Sequence, residues 1–138
     1  MEKPIRIVVA NDHPIIRSDL RLLLERQPAF RVVGEAANGR EAVILAEFRH
    51  PDIVVLDVTL PQLSGMAAAR EIVSVKPEIG VIFVSALSDR EYISEAFKAG
   101  ARGYVLDDAI QSDLMVAIDT VAAGGRFLSP AISASLHG

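Results

Sequence analysis

One stretch limits what this chain can fold into more than any other: Ile53-Val54-Val55-Leu56-Asp57-Val58-Thr59-Leu60-Pro61, in which four consecutive apolar residues end on an acid and a proline soon follows. A run that short and apolar on both faces suits a strand covered on both sides, as in the middle of a parallel sheet flanked by helices. Asp57 then stands at the strand's carboxyl end, the edge of an open α/β sheet where ligands bind. A lone acid after a strand most often just begins a loop. A second strand-end acid changes the balance. Ile5 to Ala10 reads as a buried strand, and Asn11-Asp12 follow it directly before His13-Pro14, with the proline suited to the first turn of a helix. Two strand ends then aim carboxylates at one crevice. Clustered carboxylates repel and raise each other's pKa unless a cation sits among them, so Asp12 and Asp57 read as a hard-cation site. Magnesium, which takes oxygen ligands and keeps several waters, fits it best.

The remaining segments supply the other layers. Pro14 to Glu25 reads as a helix capped by Asp12 or His13, with Ile16, Leu20 and Leu23 inward and Ile15 and Leu22 to one side. Phe30 to Ala36 is a second strand, and Asn38 caps a helix that turns Ala42, Leu45 and Ala46 inward until His50-Pro51 breaks it. Past the Asp57 strand, a loop with Pro61 and Gly65 leads into a helix of about Met66 to Val75, whose inner stripe is Met66, Ala69 and Val73. Gly80 to Ser85 is a fourth strand. Ser88-Asp89-Arg90-Glu91 reads as a capping box for a helix with Ile93, Ala96 and Phe97 inward, stopping at Gly100. Gly103 to Leu106 is a short fifth strand, followed by Asp107-Asp108. The last long helix, Ile110 to Ala123, carries Ile110, Leu114, Ala117, Ile118 and Val121 on one face and ends at Gly124-Gly125. Five strands alternating with five helices predict an α/β doubly wound domain, with right-handed crossovers placing helices on both faces. That domain covers residues 1–124; residues 125–138 read as a linker, with Ser129-Pro130 as a helix start.

Composition narrows the function. With 138 residues, 51% hydrophobic, the chain is long enough to form one core without metal or disulfide staples. It has no cysteine, which excludes disulfides, thiol catalysis and zinc-thiolate sites. No apolar run approaches the roughly 20 residues of a membrane span, and Met1-Glu2-Lys3-Pro4 leads into the first strand without a leader pattern. The expected location is cytoplasmic, away from membranes. A formal charge of −4 with scattered basic residues argues against this segment gripping nucleic acid by itself.

At the crevice, Asp57 can attack phosphorus and hold the phosphoryl group as an acyl phosphate, while a cation held by Asp12 and Asp57 neutralises charge. Ser85 ends the neighbouring strand, and its hydroxyl can donate to a phosphoryl oxygen, with small Ala86 leaving room; a serine there is otherwise a turn residue. Tyr104 is either a core aromatic or a ring that responds to the site. Other chemistry fits less well. A haloacid dehalogenase-like phosphatase wants a second acid two residues after the nucleophile, where Thr59 stands, and there is neither a G-x-G-x-x-G after the first strand nor a Walker loop.

Taken together, Asn11-Asp12-His13-Pro14, Asp57 through Pro61, Ser85-Ala86, Gly100-Ala101-Arg102-Gly103-Tyr104-Val105-Leu106 and the tail Gly124 to Pro130 resemble the CheY-like receiver domain of two-component response regulators, in the NarL/FixJ (LuxR-type) branch. The likeness covers nearly the whole chain. It implies a flavodoxin-like parallel sheet of five strands in the order 2-1-3-4-5. It also implies that Asp57 is the phosphoacceptor, that Asp12, Asp57 and the backbone carbonyl of Thr59 hold Mg2+, that Ser85 follows the phosphoryl group, and that Tyr104 is the coupled switch aromatic. The implied phosphodonor is a sensor histidine kinase or a small acyl phosphate, and the domain accepts a phosphoryl group without turning over a substrate of its own. The tail resembles the linker before a LuxR-type helix-turn-helix domain, so DNA binding is expected only through an output domain outside residues 1–138.

Two positions depart from the family pattern. Asn11 stands where an acid is usual and is expected to be a weak or water-mediated metal contact. Asp107 stands where the family places a lysine whose ammonium pairs with the phosphoacceptor. Two unit charges ~4 Å apart at an effective dielectric of ~20 interact by roughly 4 kcal/mol, so the reversed sign is expected to impair phosphorylation. Arg17, one turn into the first helix, is the nearest substitute cation. Otherwise Asp107 is a loop acid capping the last helix with Asp108, and a receiver without phosphate acts as a protein-interaction or dimerisation module. Ile15 and Leu22 on the first helix, and Met115 and Ala122 on the last, lie off the core stripes. They read as rim packing or as a self-complementary patch for a two-fold dimer.

Overall fold

The computed structural model describes residues 3–130 and 132. Its elements run β1 (Ile5–Ala10), α1 (Pro14–Glu25), β2 (Phe30–Ala36), α2 (Gly39–Arg49), β3 (Ile53–Asp57), α3 (Gly65–Val75), β4 (Gly80–Ser85), α4 (Arg90–Lys98), β5 (Gly103–Leu106), α5 (Ile110–Ala122) and β6 (Phe127–Leu128), with a turn of 3-10 helix at Asp107–Ala109 before α5. Among the described residues the sheet has six strands in the order β2-β1-β3-β4-β5-β6, all parallel. The expected order 2-1-3-4-5 therefore holds, with one short strand added.

The period of two along the central strands divides the core into two layers. Val8, Val54, Leu56, Val81 and Phe83 face a cluster under α2, α3 and α4, where Ala42, Ala46, Ala68, Ala69, Ile72, Ile93 and Ala96 are buried. Ile7, Val9, Ile53, Val55, Ile82 and Val84 face the other cluster, under α1 and α5, with Leu20, Leu24, Leu114, Ala117, Ile118 and Val121. Both faces of β1, β3 and β4 are thus covered, which is why those strands read as near-continuous apolar runs.

Several local expectations are corrected. In α1, Leu24 is buried and Ile16 is 45% exposed, because the first turn of the helix overhangs a cleft instead of the sheet. In α3 the buried stripe is Ala68, Ala69 and Ile72, with Met66 and Val73 half-buried on its flank. The capping box at residues 88–91 does not form: α4 starts at Arg90, and Asp89 at its cap position makes no side-chain cap bond. The reciprocal pair occurs instead at α2, where the Asn38 side chain accepts the Glu41 N–H and Glu41 accepts the Ala37 N–H. Neither His13 nor the Asp107-Asp108 pair caps a helix by its side chain. The supposed linker begins inside the fold: Phe127 and Leu128 pair with Gly103 and Tyr104, and Ser129 and Ile132 are buried. An uncovered β5 edge would leave backbone donors and acceptors unpaired, and β6 occupies them.

Candidate functional site

The carboxyl ends of β1, β3 and β4 open on a cleft of about 550 Å3 whose walls include Asn11, His13, Asp57, Thr59, Ser85 and Asp107. Register explains the convergence. Ala10 pairs with Leu56 and Asp57 with Val84, so the residue after each strand and the last residue of β3 and β4 emerge side by side. The loop behind Asp57 is clamped by two glycines. Gly65 donates its N–H to the Val58 carbonyl, and a Cβ there would lie 2.5 Å from the Asp57 carbonyl oxygen. Gly39, at the start of α2, donates to the Pro61 carbonyl, and its Cβ would fall 1.8 Å from the Leu63 carbonyl oxygen. No side chain fits at either close approach.

Asp57 is half-buried. Its Oδ1 accepts the Thr59 N–H at 3.2 Å and the Thr59 hydroxyl at 3.4 Å, and its Oδ2 accepts from Asn11 Nδ2 at 3.4 Å. Burial pushes its pKa above the usual carboxylate value, and the charge of Asp12 adds to this, while the Thr59 donors and the His13 ring pull the other way. Asn11 is buried, with its Oδ1 held by the His13 N–H at 2.8 Å. The amide therefore turns nitrogen, not oxygen, toward Asp57. Asp12 is not among the cleft walls; it is exposed, 3.8 Å from His13 Nε2, though close enough to be felt at Asp57.

Ser85 is buried and its hydroxyl oxygen accepts the Leu87 N–H at 3.0 Å. Tyr104 is fully buried and tilted against Phe83, with ring centroids 6.4 Å apart. Its hydroxyl donates to the Leu87 carbonyl at 2.7 Å and also meets the Ser85 side chain. Burial pushes the Tyr104 pKa up. Tyr104 is thus a core aromatic whose polar tip sits under a wall of the cleft.

Among the described residues no lysine or arginine lines the cleft. Arg17 is not the substitute cation: it donates to the Asn11 carbonyl at 2.8 Å, and its Nε lies 3.4 Å from Glu35 on β2. His13 and Ile16 are walls that the sequence reading assigned to a cap and to the core. Position beside Asp12 was the available signal for His13. Among the described residues no group of three or more His, Cys, Asp or Glu stands together as a metal cage. Magnesium does not require one, because it binds through one or two carboxylates and keeps its waters. The Asp12–Asp57 pair, with one carboxylate destabilised by burial and by its neighbour, fits that requirement. A larger cleft of about 680 Å3 lies at the amino ends of the strands. There Arg6 donates to the Arg49 carbonyl ending α2, and Arg102 to the Pro77 carbonyl past α3, so these arginines serve helix carboxyl ends.

The sequence profile of the response regulator receiver domain matches residues 7–119. The transcriptional regulatory protein DegU of Brevibacillus brevis is 32% identical over 135 residues, covering 98% of this chain and 57% of DegU. The nitrate/nitrite response regulator NarL of Escherichia coli K12 is 33% identical over 140 residues, covering 99% of this chain and 65% of NarL. The chain thus spans less than two thirds of the length of these relatives. A two-component response regulator of the LuxR family from Aurantimonas sp. superposes with a TM-score of 0.91 at 38% identity, over 95% of this chain and 94% of that one. The signal receiver domain of a NarL response regulator from Mycobacterium tuberculosis gives 0.85 at 29% identity, over 89% and 99%. With its fold, its strand-end cleft and these relatives in agreement, the chain belongs to the response regulator receiver domain family, among the NarL/DegU-type regulators of the LuxR class.

Proposed function

We propose that Asp57 accepts a phosphoryl group with the help of Mg2+, and that Asp107 makes this receiver a poor acceptor. The observation that carries the reading is the half-buried Asp57 carboxylate in a cleft it shares with Ser85 and Asp107, lined among the described residues by no lysine or arginine. A carboxylate oxygen of Asp57 attacks phosphorus. The bond from phosphorus to the nitrogen of a phosphohistidine, or to the oxygen of a small acyl phosphate, breaks, and its electron pair leaves with the donor. Asp12, Asp57 and the Thr59 carbonyl would hold the ion, which when bound supplies charge neutralisation. Asn11, with its nitrogen toward Asp57, donates a hydrogen bond to the carboxylate and would meet the ion only through water. Ser85 donates its hydroxyl to an oxygen of the phosphoryl group on Asp57, turning away from the Leu87 N–H it accepts from, and Tyr104, whose hydroxyl donates to the Leu87 carbonyl, senses that turn. Asp107 opposes the new negative charge where the family places a cation. In this reading the domain works in the cytoplasm with a sensor kinase, and it acts on DNA only through an output domain.

That no arginine or lysine lines the cleft among the described residues also favours a phosphate-independent interaction module. Ile15, 77% exposed, and Leu22, 59% exposed, on α1, with half-buried Met115 and exposed Ala122 on α5, then supply a two-fold dimer surface. Calorimetric titration with beryllofluoride, with and without MgCl2, separates the two readings. Weak magnesium-dependent binding that is lost in Asp57→Ala and strengthened in Asp107→Lys supports phosphoacceptance. No binding by any of the three proteins leaves the interaction module.

A further inference from the structure

The cleft of about 680 Å3 at the amino ends of the strands gathers positive charge in a chain whose formal net charge is −4. Lys3, Arg6, Arg31 and Arg102 stand around it against two acids, Asp52 and Glu78. Asp52 is already engaged, its Oδ2 accepting the Arg6 N–H at 2.9 Å. The two half-buried arginines are each pinned by one bond, Arg6 Nη2 to the Arg49 carbonyl at 2.6 Å and Arg102 Nη2 to the Pro77 carbonyl at 2.7 Å. A guanidinium presents five N–H donors in a fixed fork, and the others on both side chains meet no acceptor among the described residues. The exposed side chains of Lys3 and Arg31 have no hydrogen bond or ion pair among the described residues.

This placement does not serve the sheet. Arg6 and Arg31 are register partners on β1 and β2, so their side chains leave the same face one strand spacing, about 4.8 Å, apart. Like charges facing each other on adjacent strands destabilise a sheet. Arg102 stands directly before β5, three strand spacings or about 14 Å across the sheet from Arg6. Ile5, Val121 and Ala122, from the start of β1 and the end of α5, give the same cleft an apolar wall. The volume lies within the roughly 300–1,000 Å3 of small-molecule sites.

We propose that this cleft binds an organic diphosphate of the nucleoside diphosphate class, its phosphates held by the arginines and its base laid on the apolar wall. Planar guanidinium forks match phosphate oxygens two at a time. The positive charge left over after Asp52 and Glu78 are counted calls for a multiply charged anion, which a single carboxylate is not. Such an anion relieves the repulsion between Arg6 and Arg31, and the apolar wall selects a ligand with a flat body over a bare phosphate. The cleft opens at the opposite ends of the strands from Asp57, and the inference does not depend on phosphoacceptance.

Isothermal titration calorimetry of the whole chain with ADP, in EDTA so that no divalent ion enters the Asp57 cleft, tests the site. One equivalent of ADP binds, adenosine does not, and pyrophosphate binds about tenfold or more weakly because it has no base to cover the apolar wall. Arg31→Gln and Arg102→Gln each lower ADP affinity about fivefold or more, and Glu78→Gln raises it. Arg70→Gln removes the same charge away from the cleft and leaves the affinity unchanged. Arg31→Gln leaves the free protein at least as stable as wild type, because it removes a like-charge neighbour of Arg6. Should Arg102→Gln fold poorly, Lys3→Gln combined with Arg31→Gln replaces it, since neither side chain has a partner among the described residues. The proposal is overturned if about 1 mM ADP gives neither heat nor a rise in Tm, or if pyrophosphate binds as tightly as ADP. It is equally overturned if the cleft variants bind ADP like wild type, or if Arg70→Gln weakens binding as much as Arg31→Gln does.

Discussion

Replacing Asp57 with asparagine should stabilise the fold at neutral pH. The carboxylate is desolvated at the end of β3, and that burial, reinforced by Asp12, outweighs the Thr59 hydrogen bonds and the His13 ring, so its folded pKa lies above the unfolded value. A raised acid contributes stability that is fully present below its unfolded pKa and is lost as pH climbs through the folded pKa. At neutral pH the ionised group is therefore a net cost. Asparagine keeps the shape and an oxygen for the Thr59 donors and has no charge to desolvate, at the loss of the long 3.4 Å bond that Oδ2 accepts from Asn11. The group is only half-buried, and the gain, discounted for solvent screening, is on the order of 1 kcal/mol, or about 4 °C in Tm for a domain of this size. Thermal or urea unfolding of both proteins from neutral pH to about pH 3 measures it, because the acid sensitivity common to both cancels in the difference. The advantage of Asp57→Asn should shrink as pH falls toward the unfolded pKa of the carboxyl. MgCl2 should narrow it at neutral pH, since an ion bound to the folded wild type alone stabilises that protein. A variant no more stable than wild type at neutral pH, or a gap that widens toward acid, would refute the account of Asp57.

Three further substitutions probe the surroundings. Gly39→Ala drives a methyl into the Leu63 carbonyl oxygen and should cost at least about 3 kcal/mol by urea unfolding, against a small gain if the site were open. Asn11→Asp removes the donor facing Asp57 and adds a buried charge, so it should destabilise the metal-free protein on the order of 2 kcal/mol and increase the stabilisation by MgCl2 in a thermal melt. Leu22→Glu should abolish any concentration-dependent dimer seen by light scattering; a wild-type monomer at every concentration would remove the α1–α5 surface from the account.

The sheet was legible because β1, β3 and β4 are covered on both faces and their runs carry no competing signal. The spans of α1, α2 and α5 were legible from their apolar periodicity and from Pro14, Asn38, His50-Pro51 and Gly124-Gly125 at their ends. Hydrophobicity could not separate a core wall from a cleft wall. Ile16 looks like a core residue and lines the cleft, while Ala68 is buried only because α3 lies close to the sheet. The four-residue capping pattern appears at Asn38–Glu41 and at Ser88–Glu91, and only tertiary packing decides that the first forms. β6 has two residues and precedes a Ser-Pro pair that reads as a helix start, so neither its pairing nor the burial of Ser129 carries a local signal. At the site, strand ends predicted that Asp12, Asp57 and Ser85 open on one crevice; Asp57 and Ser85 do, while Asp12 is exposed beside His13 and is not among the walls. The direction of the Asn11 amide depends on the His13 N–H, and the engagement of Arg17 depends on Glu35 on a neighbouring strand; neither is written in spacing.

The central claim is that Asp57 is a phosphoacceptor handicapped by the acid at position 107. Intact-mass analysis after incubation with acetyl phosphate and MgCl2 tests it most directly, on wild type, Asp57→Ala and Asp107→Lys. The account predicts a low yield of a single phosphoryl adduct on wild type, sensitive to hydroxylamine, none on Asp57→Ala, and a yield raised about tenfold or more by Asp107→Lys, as a gain of only 1.4 kcal/mol would produce. An adduct that survives Asp57→Ala, or no adduct on either wild type or Asp107→Lys, would contradict it.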